Sequence, residues 1–132
     1  IYRISTNYEP FSRYYSWFVS YHLDIDKLHD CANYILGDHD FKLFCKSLSL
    51  KEKNNCIITE SSWAINGDCL VYKISANRFL HHMVRMLVGT MIEVSKGSLS
   101  IDIFYKMVRS ENFKSHIVTC PPNGLYLNKV NY

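Results

Sequence analysis

The 132-residue sequence lacks several features that would assign it to a common class. Its longest apolar stretch is interrupted by His81, His82 and Arg85, so no run reaches the length of a membrane-spanning helix. It contains neither of the glycine-rich phosphate-binding patterns, G-x-x-x-x-G-K-[ST] and G-x-G-x-x-G, and no G-x-S-x-G turn. We therefore expect no membrane partner, no nucleotide-phosphate loop and no serine-hydrolase site.

Paired cysteine motifs are also missing. The five cysteines are an odd number, are widely spaced and form no C-x-x-C pair. This pattern argues against a disulfide framework and against a zinc ribbon. It favours a reducing compartment, and a cytoplasmic location is the expectation.

What the composition does contain is ordinary for a globular chain. Hydrophobic residues make up 48% and charged residues 20%, and the length suits one domain, residues 1–132, with its own core. The net charge is +3, a mild basic bias that permits an anionic partner without requiring one. The first residues, YRIST, read as the middle of a strand, so we expect a fragment of a longer protein.

Extended and helical patterns alternate along the chain and predict an α+β fold. We expect a mostly antiparallel or mixed sheet with helices packed on one face. The strongest local signal is the Asn66-Gly67-Asp68 hairpin turn. The expected strands are 2–6, 15–20, 56–65, 69–75 and 125–132. The expected helices begin near Asp24 or Asp26 and end at Gly37, begin at Asn77 as a cap, and begin near Ser100.

The stretch RFLHHMVRMLVGTMIEVS, residues 78–95, carries the clearest pattern. On a helix its apolar residues form one broad stripe. The opposite strip would hold Arg78, His82, Arg85 and Gly89 as neighbours. The sequence therefore predicts a helix that is apolar on one face and basic on the other.

Arg85 is the informative residue of that strip. Its guanidinium cannot lose its charge, so beside an apolar stripe it needs a carboxylate or phosphate partner. Gly89, one turn later, would allow that partner or its backbone to approach. The alternative is an ion pair within the domain, with Asp38, Asp40 or Glu93 as the acid.

Three further groups of residues give weaker evidence of a function. His81 and His82 are adjacent, and adjacent helical residues diverge by about 100°, so we expect no metal site. The segment 37–40 (GDHD) is expected to be a tight connection whose side chains act as caps and hydrogen-bond acceptors. The lysine-containing stretch 46–55 is either a solvated loop or a phosphate contact.

Three blocks resemble the C-terminal half of the tRNA pseudouridine synthase A family. They are ILGDHDFKLF, RFLHHMVRMLVGTMIEVSKG and PPNGLYLNKVNY, in the family's order and near its spacing, and the resemblance covers essentially the whole chain. Tyr2-Arg3 resembles the start of a Tyr-Arg-Tyr segment, with Ile4 in place of the second tyrosine. Cys45 stands where an arginine is frequent, and Asn55 begins a triplet that commonly reads Arg-Thr-Ile.

The resemblance implies an enzyme that isomerises uridine to pseudouridine in the anticodon stem-loop of tRNA, without a cofactor and as a homodimer. It implies an α+β fold with a cleft between two similar halves. The family's catalytic aspartate lies in a Gly-Arg-Thr-Asp segment of the N-terminal half, and this sequence contains no such segment. The chain is therefore expected to be a domain that needs the N-terminal half of the same enzyme as its partner and is inactive alone.

The resemblance also implies roles for particular residues. Tyr2 would stack on a uracil flipped out of the RNA, with its hydroxyl available for proton transfer. Arg85 would hold the aspartate of the absent half as a bidentate pair. Leu125 would wall the uracil pocket. The implied RNA-binding residues are Lys46, Lys51, Lys53, Arg78 and His82.

Two rival functions remain beside the enzyme. One is a non-catalytic RNA-binding domain that keeps the basic surface without the chemistry. The other is a structural or dimerising module whose basic face pairs internally. Steep loss of tRNA affinity with salt would favour phosphate contacts over the structural module.

Overall fold

The computed structural model describes residues 1–5, 17–18, 23–45, 54–66, 69–110 and 117–125. Within these ranges three α-helices and five β-strands confirm the predicted α+β class. The helices are α1 (Ile25–Tyr34), α2 (Met83–Lys96) and α3 (Ile101–Val108). The strands are β1 (Tyr2–Ser5), β2 (Trp17–Phe18), β3 (Gly37–Asp40), β4 (Asn55–Asn66) and β5 (Cys69–Ala76). Two 3-10 helices, Lys42–Phe44 and Pro122–Gly124, complete the described elements.

The five strands form one mixed sheet in the order β2-β1-β5-β4-β3. Strand β1 runs parallel to β2, and the other neighbouring pairs are antiparallel. Asn66 pairs with Cys69 at the end of the β4-β5 ladder, as the predicted hairpin requires. Residues 67 and 68 of its turn, and most of the predicted strand 125–132, lie outside the described residues.

One face of the sheet forms the core. Along β5 the inward residues Leu70, Tyr72 and Ile74 are buried, while Lys73 between them is exposed. This period of two is the pattern of a strand with one covered face. The hydroxyls of Tyr72 and Ser61 lie 2.6 Å apart, so these buried polar groups satisfy each other. The helices cover this face, as predicted.

Two helices begin where the sequence indicates. The carboxylate of Asp24 accepts a hydrogen bond from the Lys27 amide at 3.3 Å and caps α1. The hydroxyl of Ser100 accepts from the Asp102 amide at 3.2 Å and caps α3. Gly37 follows α1 with φ of 97°, a backbone conformation that favours glycine.

The prediction of a tight connection at 37–40 was wrong in one respect. These residues form β3, because their backbone groups pair with β4 from Gly37↔Ile58 to Asp40↔Asn55. The predicted capping role is confirmed at the end of the strand. There the Asp40 carboxylate accepts from the Lys42 amide at 3.0 Å, at the start of the 3-10 helix.

The predicted start of the long helix at Asn77 was also wrong, because α2 begins at Met83. His82 has a left-handed backbone with φ of 62°, which a continuous α-helix cannot contain. Asn77 instead extends the sheet, since its side chain accepts from the Ile57 amide at 2.8 Å. Consequently Arg78 and His82 do not share a helical face with Arg85.

No helix in the described ranges has the length and apolar character needed to cross a membrane.

Candidate active site

Helix α2 is in close contact with the backbone of residues 118–120. A Cβ atom built on Gly89 would lie 2.2 Å from the Val118 carbonyl oxygen and 3.0 Å from the Cys120 amide nitrogen. Neither neighbour is a flexible side chain, so only glycine permits this approach. A backbone does approach at Gly89, as predicted, but it belongs to Val118 and Cys120 and not to an acidic partner of Arg85.

Arg85 is joined to the same segment by a reciprocal pair of hydrogen bonds. Its Nε donates to the Cys120 carbonyl at 2.9 Å, and the Cys120 amide donates to the Arg85 carbonyl at 3.1 Å. One bond comes from the side chain and one from the main chain, so the direction of the guanidinium is set by the segment it contacts.

The charge of Arg85 has no acidic partner in the part of the chain that the structure describes. The ion pairs found there are Lys73–Glu60 at 3.4 Å and Lys96–Glu93 at 3.3 Å. Arg85 is only half-buried, and its two Nη groups make no hydrogen bond to another described residue. An anion from outside these residues therefore has two donors available in one plane.

The acids proposed as internal partners have other contacts. Glu93 pairs with Lys96. Asp38 accepts from the Asn55 side chain at 3.1 Å, and Asp40 accepts from a backbone amide at the 3-10 helix. In the described ranges the structural ion pair of Arg85 with these three acids is not formed.

Tyr2 contacts the residues that directly follow Cys120. Strand β1 places Tyr2 opposite Leu125 in an isolated antiparallel bridge. The Tyr2 hydroxyl donates to the Pro121 carbonyl at 2.5 Å. Tyr2 is fully buried, whereas Leu125 is 40% exposed. The backbone of residues 120–125 contacts both Arg85 and Tyr2, and it carries Leu125. Three residues that are far apart in the sequence therefore lie in one site.

Tyr2, Cys120 and Arg85 lie close enough to influence the pKa of the Tyr2 hydroxyl and of the Cys120 thiol. Burial raises the pKa of the Tyr2 hydroxyl, so it stays protonated and acts as a donor near neutral pH. Burial also raises the pKa of the Cys120 thiol to about 11, although the Tyr2 hydroxyl and the Arg85 guanidinium oppose this rise. The thiol is therefore neutral at pH 7 and is not a thiolate nucleophile.

The burial of Tyr2 limits one prediction. A ring with no exposed surface can stack on a base only after the residues that cover it move away. The contact observed is the hydroxyl on Pro121, which fixes the segment that carries Leu125. Stacking by Tyr2 stays a prediction.

Two of the predicted RNA-binding residues, Arg78 and His82, lie in the described part of the chain. Arg78 is half-buried and donates from Nε to the Asn55 carbonyl at 3.0 Å. His82 precedes α2, and its ring stacks on His81 with centroids 4.0 Å apart. Residues 46, 51 and 53, the three lysines, lie outside the described residues. Within those described, no group of three or more His, Cys, Asp and Glu side chains could hold a metal ion.

Two residues that contact the site were not predicted from the sequence. Cys120 contributes its main chain to Arg85, and Thr90 accepts from the Val118 amide at 3.2 Å. The Pro-Pro-Asn-Gly break after Cys120 signalled a turn. A contact made by backbone atoms cannot be predicted from the type of residue, because nearly every residue has the same amide and carbonyl groups.

The sequence matches the family model described as tRNA pseudouridine synthase over residues 31–132. A tRNA pseudouridine synthase A of Bacillus licheniformis is 35% identical over 124 residues, which are 94% of this chain and 50% of the relative. The one from Thermoanaerobacter sp. is 37% identical over 93% of this chain and 50% of its own length. The one from Dictyoglomus thermophilum is 37% identical over 100% of this chain and 54% of its own length. The chain spans about half the length of these relatives.

Proposed function

Because the chain belongs to the tRNA pseudouridine synthase family, we propose that it is one half of a tRNA-modifying isomerase. The complete enzyme would convert uridine to pseudouridine in the anticodon stem-loop of tRNA. This half would contribute a wall of the active-site cleft and part of the RNA-binding surface. Its catalytic residue would be Arg85. Uridine and pseudouridine are isomers, so the reaction requires no redox cofactor.

The observation that carries the proposal is the state of Arg85. Its Nε is held by Cys120, while its two Nη groups have no partner in the described chain. A carboxylate from the other half could approach these two groups as a planar, bidentate pair. That pair would keep the carboxylate ionised and aimed at the base.

The neighbouring residues fit a base pocket. Leu125 is exposed beside the site and would form an apolar wall for the flipped uracil. Tyr2 would stack on the base after the residues that cover its ring move away, with its hydroxyl as a proton donor. In the conformation described, that hydroxyl instead holds the Pro121 carbonyl.

Contact with tRNA would come from a wider surface. We propose phosphate contacts for Lys46, Lys51 and Lys53, with Arg78 and His82 as additional contacts. Asn55 is exposed and bonds Asp38 at 3.1 Å, so it would place a polar and uncharged group beside Arg78, whose Nε donates to its carbonyl. A homodimer in the cytoplasm is the proposed form of the complete enzyme.

A non-catalytic RNA-binding domain is the second candidate. It is favoured by the net charge of +3, because a basic surface can bind RNA without a catalytic acid. The two candidates differ in what happens when an acid-bearing half is supplied.

The test compares tRNA isomerisation by the 132-residue chain alone and by the parent protein, meaning this chain joined to its N-terminal half. We expect no pseudouridine from the chain alone and turnover from the parent. Pseudouridine formed by the purified chain would contradict the assignment of the acid to the other half. A folded parent that binds tRNA but forms no pseudouridine would favour the non-catalytic domain.

A further inference from the structure

Three consecutive contacts attach residues 117–120 to helix α2. The Val118 amide donates to the Thr90 hydroxyl oxygen at 3.2 Å. The Cys120 amide donates to the Arg85 carbonyl at 3.1 Å, and Arg85 Nε returns a bond to the Cys120 carbonyl at 2.9 Å. Between them Gly89 allows the two backbones to touch. The carbonyl that orients Arg85 thus lies two residues after the amide that Thr90 holds.

The Thr90 hydroxyl is itself fixed in direction. Thr90 is fully buried, and its hydroxyl donates to the Met86 carbonyl at 2.7 Å. A hydroxyl has one proton, so once that proton points at Met86 its lone pairs face elsewhere. One of them meets the Val118 amide. Thr90 therefore sets where the segment can lie along the helix.

We propose that Thr90 is a positioning residue for Arg85. It acts through the backbone of residues 118–120: its hydroxyl fixes Val118, and the Cys120 carbonyl two residues later fixes the guanidinium. The expected effect of Thr90 on turnover rests on the proposed function. Its effect on the position of Arg85 does not, and can be tested on the chain itself.

The first test is made on this chain by NMR, which measures hydrogen exchange at Arg85 Nε and at the Val118 amide. Thr90→Val keeps the side-chain shape but removes the hydroxyl, so we expect faster exchange at both positions. Thr90→Ser keeps the hydroxyl and should retain most of the protection.

A matched control is available on the same helix. Ser95 is also buried on α2, and its hydroxyl donates to the Asp24 carbonyl at 3.0 Å. Ser95→Ala removes a comparable bond to another part of the backbone, but ten residues, or about 15 Å of helix, from Arg85. We expect it to lower stability without changing exchange at Arg85 Nε.

The second test measures kcat and KM for tRNA in the parent protein. A misplaced guanidinium should lower kcat in Thr90→Val by roughly tenfold to a hundredfold, since small misplacements at a reacting centre have effects of that order. KM should change little, because tRNA affinity comes from phosphate contacts elsewhere. Thr90→Ser should restore kcat, and Ser95→Ala should leave it unchanged.

Two results would overturn the inference: unchanged exchange at Arg85 Nε in folded Thr90→Val, or an equal fall of kcat in Thr90→Val and Ser95→Ala. Failure of the proposed function gives a different pattern. In that case the exchange results would hold, while Arg85→Ala would turn over normally or the unaltered parent would not turn over at all.

Discussion

The Nε of Arg85 and the main chain of Cys120 hold each other: the side chain donates to the Cys120 carbonyl at 2.9 Å, and the Cys120 amide returns a bond to the Arg85 carbonyl at 3.1 Å. This arrangement uses the Nε of the guanidinium and leaves its two Nη groups available to bind an anion. A charge fixed in this way costs little reorganisation when an anion arrives. The catalytic proposal depends on this relationship.

Arg85→Ala in the parent protein should reduce turnover by roughly a hundredfold or more. The partner carboxylate would lose its counter-charge and its orientation, which together are typically worth a few kcal/mol. Arg85→Lys should recover little, because an ammonium cannot form the planar two-pronged contact. Turnover, tRNA affinity and melting temperature should be measured on each variant.

Lys96→Ala provides the control for the loss of one positive charge from the same helix. Lys96 pairs with Glu93 at 3.3 Å in the last turn, so its removal should leave turnover near normal. If Arg85→Ala also kept near-normal turnover and only its melting temperature fell, the role of Arg85 would be structural.

Gly89→Asn and Gly97→Asn should have very different effects on the free energy of unfolding. At Gly89 the new Cβ would meet the Val118 backbone at 2.2 Å, so the segment must shift, at a cost of about 1–3 kcal/mol. At Gly97 the φ of 89° is left-handed and nothing lies within 4 Å of the added Cβ. Asparagine tolerates that conformation, so this variant should cost much less.

Urea denaturation of the two variants measures this difference directly. Equal losses of stability would show that residues 117–120 yield easily, and the close approach at Gly89 would then be no constraint on the site.

Local patterns predicted much of the fold. The apolar period along α1 and the starts of α1 and α3 near Asp24 and Ser100 were predicted, because each depends on residues within one or two turns. The start of α2 could not be predicted correctly in this way. The apolar stripe begins at Phe79 and Leu80, before the helix itself. The backbone around these residues follows other contacts, because Asn77 pairs with β4 and His82 is left-handed. Tertiary pairing overrode the helical pattern.

The candidate site was predictable only in part. The need of Arg85 for a partner follows from its fixed charge, and the role of Gly89 follows from its missing side chain. Their shared neighbour, the backbone of Val118 and Cys120, could not be inferred. Any residue type offers the same amide and carbonyl, so only the fold reveals which ones are used.

The free energy of unfolding should fall as the pH rises from about 9 to about 11. Burial raises the pKa of Cys120 from an ordinary value of 9.0 to about 11, so the unfolded thiol ionises before the folded one. The contribution of Cys120 is complete below pH 9 and is lost progressively up to its folded pKa. The full difference corresponds to roughly 3 kcal/mol.

Cys120→Ala should show a smaller fall over this pH range, in reducing buffer. Burial also raises the pKa of Cys31 to about 12, so part of the pH dependence should remain. Ser95→Ala, which removes no titrating group, should lower the stability at every pH by a similar amount. A Cys120→Ala curve parallel to the unaltered one would show that the thiol ionises equally in both states.

Combined Lys46→Ala, Lys51→Ala and Lys53→Ala substitutions should weaken tRNA binding and make it less sensitive to salt. Each phosphate contact releases counterions, so losing three contacts should reduce the slope of log K against log salt by about 2 to 3. The measurement is a tRNA titration of the parent at several salt concentrations. Lys73→Ala with Lys96→Ala is the control, because these lysines already pair with Glu60 and Glu93 and should contribute little to the slope. If the triple variant kept the original slope, the lysines would be solvated surface groups, and the phosphate contacts would have to come from other residues.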